Sequence, residues 1–286
     1  MRKDLPPLGD LREEIDRIDD GLHDLLMERT RVVEQIRQHK TDHANPVFIR
    51  PGREAQVIRR LLARHQGRFP KTVIASLWRE IMSTFTALQG PFVVAICMRE
   101  ENDAGLLELA REHYGTYPQI VIHRSEGQVI RAVADGQAVV GILPVPSEDS
   151  TSRWWTSLMG DHAGLPRVAA RLPFVVRNNR SAEAIAIARV TQENTGDDRS
   201  WLGIDTQPDV SRARLIGSLK NAGFENINFL DAHRTDEILL SLIEVSGCLQ
   251  ADDPRLAYLV HQDKITHKVV ILGGYASPLS PEQLQQ

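Results

Sequence analysis

The chain has 286 residues, of which 42% are hydrophobic and 25% charged, with a formal net charge of -4 and a pI near 6.2. This composition is typical of globular proteins rather than disordered or fibrous ones, and the length predicts about two domains. The acidic balance excludes a global positive field for nucleic acid or anionic lipid, so any bound anion must be held by a local cluster of cations.

The two cysteines, Cys97 and Cys248, lie far apart and form no metal or redox motif. This argues against a disulfide scaffold or a zinc ribbon. The N-terminus lacks the apolar core of a signal peptide, and no apolar run approaches the roughly 20 residues of a membrane-spanning helix. We therefore expect a reduced, cytoplasmic location and no membrane association.

A long helix is predicted over residues 11–40, with Asp10 resembling its N-cap. At about 1.5 Å per residue it would be roughly 45 Å long, so it needs partner helices from this chain or another. Its apolar residues recur in steps of four and three with one gap at position 29: Leu11, Ile15, Ile18, Leu22, Leu25, Val32 and Ile36.

Two shorter helices follow the first. A loop is predicted at 43–52, then a helix with Val57, Ile58, Leu61 and Leu62 on one face. After Pro70 a third helix is predicted, and Gly90-Pro91 marks a domain boundary. The apolar residues of this third helix are Ile74, Leu77, Trp78, Ile81, Phe85 and Leu88.

Beyond Pro91 short apolar runs alternate with helices, which predicts an α/β region with right-handed crossovers. Strands are predicted at 92–96, 119–122 and 138–143, and helices at 105–113 and 127–135. The polar stretch Thr191 to Arg199 is a candidate linker. From residue 200 the predicted order is β-α-β-β-α-β, which is that of a ferredoxin-like sandwich.

Polar side chains interrupt the apolar faces of the three N-terminal helices. Arg29 and Lys40 fall on the seam of the first helix, and Arg12 lies at its margin. The second helix carries Arg53 and Glu54 and the third ends in Gln89; these six residues are the candidate site. A buried guanidinium without a partner costs several kcal/mol or more, so these groups must meet anions or water. A polar pocket for a small dianion is the interpretation we favour.

Simpler explanations remain open for individual residues. Arg29 could pair with Glu54 inside the chain or extend to solvent. Arg53 could be an exposed first-turn residue, and Gln89 a fraying helix end. His113, His123 and His233 are expected at the surface or in loops rather than in catalytic roles.

The segments Leu11–Asp19 and Leu25–Arg29, then Lys40, Arg53-Glu54 and Leu88-Gln89, resemble the all-helical chorismate mutase domain. This domain also forms the N-terminus of bifunctional chorismate mutase–prephenate dehydratases. The resemblance covers about residues 8–90. It implies a cofactor-free, metal-free isomerase that converts chorismate to prephenate by a pericyclic rearrangement, and an intertwined homodimer.

The resemblance also implies a role for each candidate residue. Arg29, together with Arg12 from the partner subunit, would bind the carboxylates of chorismate. Lys40 and Gln89 would donate to the ether oxygen, which gains negative charge as its C–O bond breaks. Glu54 would accept from the ring hydroxyl, and Arg53 would assist nearby.

Three departures from the family pattern stand out. The loop before Arg53 is one residue longer and has no clear equivalent of the family's loop aspartate. The small hydroxyl residue expected four positions before Gln89 is replaced by Phe85. Gly21 lies inside the first helix, at a cost of about 1 kcal/mol relative to alanine.

The second half resembles prephenate dehydratase, but several of that family's motifs are replaced. Ala138 to Ser150 is similar to a dehydratase segment, and Leu272 to Tyr275 to the closing strand of an ACT regulatory domain. Where dehydratases carry a catalytic Thr-Arg-Phe, this chain reads Leu172-Pro173-Phe174, and Met98-Arg99-Glu100-Glu101 replaces a glycine-rich turn. The effector segments at 209–212 and 230–234 also depart from the pattern, so we expect neither dehydration of prephenate nor phenylalanine binding.

The sequence therefore predicts a multidomain chain. Residues 1–90 form an all-α chorismate mutase domain, 91–190 a shortened dehydratase-like α/β region, and 191–286 an ACT-like region. The predicted function is chorismate mutase in aromatic amino-acid biosynthesis. The alternatives are a bifunctional mutase/dehydratase and an amino-acid-sensing regulatory protein whose helical domain only dimerises.

Overall fold

The computed structural model describes residues 5–40, 49–99, 104–150, 152–160, 162, 164–176, 182–261 and 265–285. The side chain of Lys40 and most of the predicted loop at 43–52 lie outside the described residues, as do Glu100 and Glu101.

Three helices form the N-terminal domain, which confirms the prediction from apolar spacing. The first begins at Leu8 rather than after Asp10, so Asp10 lies in the first turn, where a carboxylate favours the helix dipole. The second has Pro51 at its first turn, a position that needs no backbone N–H. The helices of the chain are α1 (Leu8–Lys40), α2 (Pro51–Arg64), α3 (Lys71–Gln89), α4 (Ala104–Tyr114), α5 (Glu126–Ala134), α6 (Arg212–Asn221), α7 (Pro254–His261) and α8 (Pro281–Gln285).

One mixed sheet of nine strands runs through the rest of the described chain. Its order is β2-β1-β3-β5-β4-β9-β6-β8-β7, with β2, β1 and β3 parallel. The strands are β1 (Val93–Cys97), β2 (Gln119–His123), β3 (Val140–Pro144), β4 (Arg167–Leu172), β5 (Ala184–Ala188), β6 (Asp198–Thr206), β7 (Asn228–Arg234), β8 (Leu239–Ser246) and β9 (Thr266–Ala276).

The order of the first five elements after α3 agrees with the prediction, but β4 and β5 were not predicted. They form an antiparallel hairpin between β3 and β9. All five residues of β5 are buried, and three of them are alanines. Alanine is a weak strand former, so this buried strand lacks the β-branched composition by which strands are recognised.

The predicted β-α-β-β-α-β order from residue 200 is confirmed by β6, α6, β7, β8, α7 and β9. The likeness of this part to an ACT domain stays a prediction. Strand β9 also joins β4 through the pair Val168 and Gly273, so the regions predicted as 91–190 and 191–286 share one sheet. Gly273 has a φ of +109°, and a Cβ there would lie 2.3 Å from the Val168 carbonyl oxygen, so the junction requires glycine.

A buried polar network ties the sheet together beside this junction. Glu244 of β8 accepts hydrogen bonds from the Tyr275 hydroxyl and, over 3.1 Å, from the Trp201 indole. Arg171 donates over 3.2 Å to the Tyr275 hydroxyl and over 2.6 Å to Glu183. Burial and the Glu244 charge raise the pKa of Tyr275, so the hydroxyl keeps its proton and remains a donor.

The helical domain and the sheet domain share a hydrophobic cluster. Ala55, Ile58 and Met82 of α2 and α3 pack with Phe174 and Val175, which follow β4.

In contrast, the apolar stripe of α1 is exposed to solvent, and within the described residues of α1 only Val33 is buried. Seven residues of that stripe are more than a third exposed: Leu11, Ile15, Ile18, Leu22, Leu25, Val32 and Ile36. No helix among the described residues is long and apolar enough to span a membrane.

Candidate active site

The two candidate arginines of α1 are far apart along the helix. Arg12 lies near its start and Arg29 about 17 residues later, which is roughly 25 Å along a straight α-helix. Both side chains are exposed, although α3 partly covers that of Arg29. A single chain therefore does not bring Arg12 and Arg29 to one small ligand.

Arg29 and Gln89 both contact Phe85 on α3. The Arg29 guanidinium carbon lies 4.1 Å from the centre of the Phe85 ring, within range of a cation–π interaction. The Gln89 side-chain nitrogen donates over 3.1 Å to the Phe85 carbonyl oxygen. Burial lowers the pKa of Arg29, but a guanidinium stays protonated at neutral pH. Phe85 thus supports both candidate side chains.

Glu54 of α2 forms an ion pair with Arg79 of α3. The Arg79 Nη1 lies 2.8 Å from the Glu54 Oε2, and the two side chains are 6% and 18% exposed, respectively. Burial raises the pKa of Glu54, while the positive charge of Arg79 opposes that shift. The pairing found in the structure is therefore Glu54 with Arg79, and the alternative pairing of Arg29 with Glu54 is wrong.

Arg79 was missed by the sequence analysis, although a signal was present. It falls four residues after Ala75 and three before Met82, both of which are buried. Helical spacing thus places a cation on the inner face of α3, by the rule that selected Arg29 on α1. Its guanidinium also lies 5.0 Å from the centre of the Phe174 ring, so it bridges the helical domain and the sheet domain.

The remaining candidate residues are less enclosed. Arg53 is an exposed residue in the first turn of α2, which agrees with the simpler of its two explanations. Its backbone N–H donates over 3.1 Å to the Glu193 carboxylate. Lys40 is the last residue of α1, and its side chain lies outside the described part. Among the described side chains, the structure groups Arg29 with Gln89 around Phe85 and Glu54 with Arg79. The two groups are centred on Phe85 and Arg79, which are six residues apart on α3, or roughly 9 Å along its axis.

The histidines differ from expectation at one position. His113 is buried on α4, with its ring centre 4.6 Å from that of Tyr114, so its predicted surface location is wrong. Burial, helped by the charge of Arg79, lowers the pKa of His113 well below its usual 6.5. His233 is exposed, as predicted, and His123 is partly exposed at the end of β2.

The segment Leu172-Pro173-Phe174 is enclosed by protein. Leu172 and Phe174 are both buried, and the Phe174 ring lies beneath Arg79 of α3 and 5.9 Å from Arg59 of α2. Side chains of the helical domain therefore cover this segment.

Taken together, α1 and α2 place an arginine and a carboxylate against α3, which carries an arginine and an amide of its own. Residues 11–90 match the family Chorismate mutase type II, and this part of the chain is a chorismate mutase domain.

Two relatives illustrate the similarity of sequence. The bifunctional chorismate mutase/prephenate dehydratase of Pseudomonas aeruginosa is 34% identical over 152 residues, covering 52% of this chain and 40% of that protein. The protein of the same name from Neisseria gonorrhoeae is 26% identical over 258 residues, covering 85% and 68%. The chain thus spans about two fifths of the length of the first relative.

Two solved structures align with part of this chain. GqqA, described as a novel type of quorum quenching acylase, aligns with 68% of this chain and 98% of its own, at a TM-score of 0.48 and 16% identity. Prephenate dehydratase from Streptococcus mutans aligns with 65% of this chain and 98% of its own, at a TM-score of 0.45 and 15% identity.

Proposed function

We propose that this protein is a chorismate mutase, an isomerase that converts chorismate to prephenate without a cofactor or a covalent intermediate. The observation that carries the proposal is the match of residues 11–90, whose helices place Arg29 and Glu54 against α3, the helix that ends in Gln89. The rearrangement needs its substrate folded so that the bond-forming carbons meet, and it develops negative charge on the ether oxygen. Fixed cations and donors supply both requirements.

Three of the candidate side chains, those of Arg29, Glu54 and Gln89, have contacts that suit their proposed roles. Arg29 is held by the Phe85 ring, so its guanidinium is oriented before a carboxylate arrives. The Gln89 amide nitrogen carries two N–H donors and the Phe85 carbonyl uses one, which leaves the second for the ether oxygen. Arg79 contacts Oε2 of Glu54, so Oε1 is the oxygen that would accept from the ring hydroxyl. Lys40 would be a second donor to the ether oxygen, and Arg53 would assist at the start of α2.

The same proposal includes a homodimer. The support is the exposed apolar stripe of α1, which is the kind of surface that a second helix covers. In such a dimer, Arg12 of one protomer would complete the site of the other, since Arg12 cannot reach Arg29 of its own chain. A cytoplasmic location also belongs to the proposal.

The test is the loss of chorismate absorbance, measured with wild-type protein, Arg29→Ala and the control Arg17→Ala. Arg17 is an exposed arginine of α1 that pairs with Glu14 on the same helix. We expect Arg29→Ala to lose at least 100-fold in kcat/KM, because removing one preorganised donor typically costs about 3 kcal/mol, while Arg17→Ala stays near wild type. Wild-type protein that converts chorismate no faster than buffer would refute the proposal and favour the regulatory protein instead.

A bifunctional mutase/dehydratase is the second candidate, and the names of the relatives favour it. The covered segment Leu172-Pro173-Phe174 speaks against it, because leucine and proline side chains cannot protonate the leaving hydroxyl and α3 occupies the space above Phe174. We therefore propose that the sheet domain does not dehydrate prephenate. Formation of phenylpyruvate from added prephenate by the purified protein would overturn this part of the proposal.

A further inference from the structure

The start of α2 is capped by a carboxylate from the sheet domain. Helix α2 has Arg50 at its N-cap, which makes no side-chain capping hydrogen bond. Instead, Oε2 of Glu193 accepts from the Arg53 backbone N–H over 3.1 Å. Oε1 of Glu193 accepts from Nε and Nη2 of Arg50 at 2.8 and 2.5 Å. A carboxylate at this end satisfies an otherwise unpaired N–H and favours the helix dipole.

Asn194, Thr195 and Asp197, which follow Glu193 in the chain, extend the contact along α2. The Gln56 amide donates over 3.2 Å to the carbonyl oxygen of Asn194. Arg59 donates over 2.8 Å to the Thr195 hydroxyl and over 2.9 Å to the Asp197 carbonyl oxygen. Residues 191–199, predicted as a linker, therefore contact α2. Their polar groups accept hydrogen bonds from Arg53, Gln56 and Arg59, which follow one another on α2 at intervals of three residues.

The fit between α2 and this segment is close at Gly52. A Cβ on Gly52 would lie 2.7 Å from the Cβ of Glu193, nearer than real Cβ atoms approach. Any side chain at position 52 would thus push the two segments apart. Glycine is otherwise a poor choice inside a helix, so the contact with Glu193 explains its presence.

The capped turn is the one that carries two candidate active-site residues. Arg53 receives the Glu193 contact directly, and the Glu54 backbone N–H donates over 2.9 Å to the Arg50 carbonyl oxygen. In the sequence, the loop before Arg53 lacks the aspartate that the family carries. Glu193 brings a carboxylate to this turn from 140 residues further along the chain.

We infer that Glu193 is a positioning residue for the chorismate mutase site, so that the sheet domain sets the orientation of Arg53 and Glu54. This inference rests on the proposed function. It makes turnover of chorismate depend on a segment outside the helical domain that matches the mutase family. The domain after α3 is then a part of the mutase rather than an appendage.

The test compares Glu193→Ala, Glu193→Gln and the control Glu237→Ala in the full-length protein. Glu237 is an exposed carboxylate in a turn of the sheet domain. We expect Glu193→Ala to lower kcat/KM for chorismate at least tenfold, chiefly through KM. Glutamine keeps an acceptor for the Arg53 N–H, so Glu193→Gln recovers part of that loss, and Glu237→Ala equals wild type. Thermal unfolding of each variant separates misplacement of α2 from loss of folded protein.

Gly52→Ala tests the same contact from the side of α2. Alanine favours the helix itself, so the variant folds while its methyl group displaces Glu193. We expect the same rise in KM as for Glu193→Ala. Values of KM and kcat within twofold of wild type for both Glu193→Ala and Gly52→Ala would overturn the inference and leave the proposed function intact. A wild-type protein without chorismate turnover would overturn both.

Discussion

The exposed stripe of α1 gives the most direct prediction about assembly. Leu22 and Leu25 lie at its centre and are 56% and 62% exposed in the single chain. If a second copy covers them, the double substitution Leu22→Ala/Leu25→Ala weakens the dimer. Alanine is the strongest helix former, so α1 itself is not destabilised by the change.

The magnitude follows from the exposed areas. Fully burying a leucine side chain contributes about 1.5–3 kcal/mol, and slightly more than half of each side chain remains to be buried. Allowing for the methyl group that alanine retains, each position contributes about 1 kcal/mol on each protomer. A symmetric dimer contains each position twice, so the double variant loses about 4 kcal/mol, or roughly a thousandfold in the dimer dissociation constant.

Sedimentation equilibrium over a range of protein concentrations measures that constant directly. The matched control is Asp16→Ala/Asp20→Ala, two exposed positions on the opposite face of the same helix. Chorismate turnover should fall with dimer content, because Arg12 of a partner is then missing. Wild-type dimer affinity in Leu22→Ala/Leu25→Ala would show that the stripe is not the interface, and a fully active monomer would show that Arg12 acts in no partner site.

Three further predictions concern buried polar groups. Arg79→Ala leaves the Glu54 carboxylate without its counter-charge, so we expect the free energy of unfolding, measured in urea, to fall by roughly 3–5 kcal/mol. The double variant Glu54→Leu/Arg79→Met should recover most of that stability but not chorismate turnover. Tyr275→Phe removes a hydroxyl that donates to buried Glu244, so the free energy of unfolding should fall by about 1–3 kcal/mol. An unchanged free energy of unfolding would show that this hydrogen bond does not stabilise the sheet. His113 stays neutral when folded but takes up a proton near pH 6.5 when unfolded, so the wild-type protein should lose up to about 1.4 kcal/mol per pH unit below that value. His113→Gln should lack this part of the pH dependence in denaturation curves measured from pH 7.5 to 5.

The helices of the N-terminal domain could be predicted because their signal is local. Apolar residues at helical spacing, a proline at the start of α2 and a glycine after α3 fix the elements without knowledge of the tertiary structure. The hairpin of β4 and β5 could not be predicted in the same way. Five of its eleven residues are alanines and two are arginines, and they become strands because neighbours on both sides supply hydrogen-bonding partners.

The candidate site shows the same limit more sharply. The spacing rule located Arg29 and Glu54, since each interrupts an apolar face. It could not assign their partners, because Arg79 and Phe85 belong to another helix and the choice between them depends on how the helices pack. The spacing rule also gave no indication that Glu193 caps α2, since this contact joins residues that are 140 positions apart in the chain.

The altered segment Leu172-Pro173-Phe174 connects these observations. An apolar residue cannot donate a proton to a leaving hydroxyl, but it can pack beneath a helix. Phe174 does so: its ring lies under Arg79, and Arg79 in turn pairs with Glu54 of the proposed mutase site. A polar residue in place of Phe174 would remove the cation–π contact and open the cluster that joins the two domains. Leu172 and Pro173 depart from Thr-Arg-Phe and argue against dehydration of prephenate, whereas Phe174, which agrees with that pattern, lets the sheet domain support the helices.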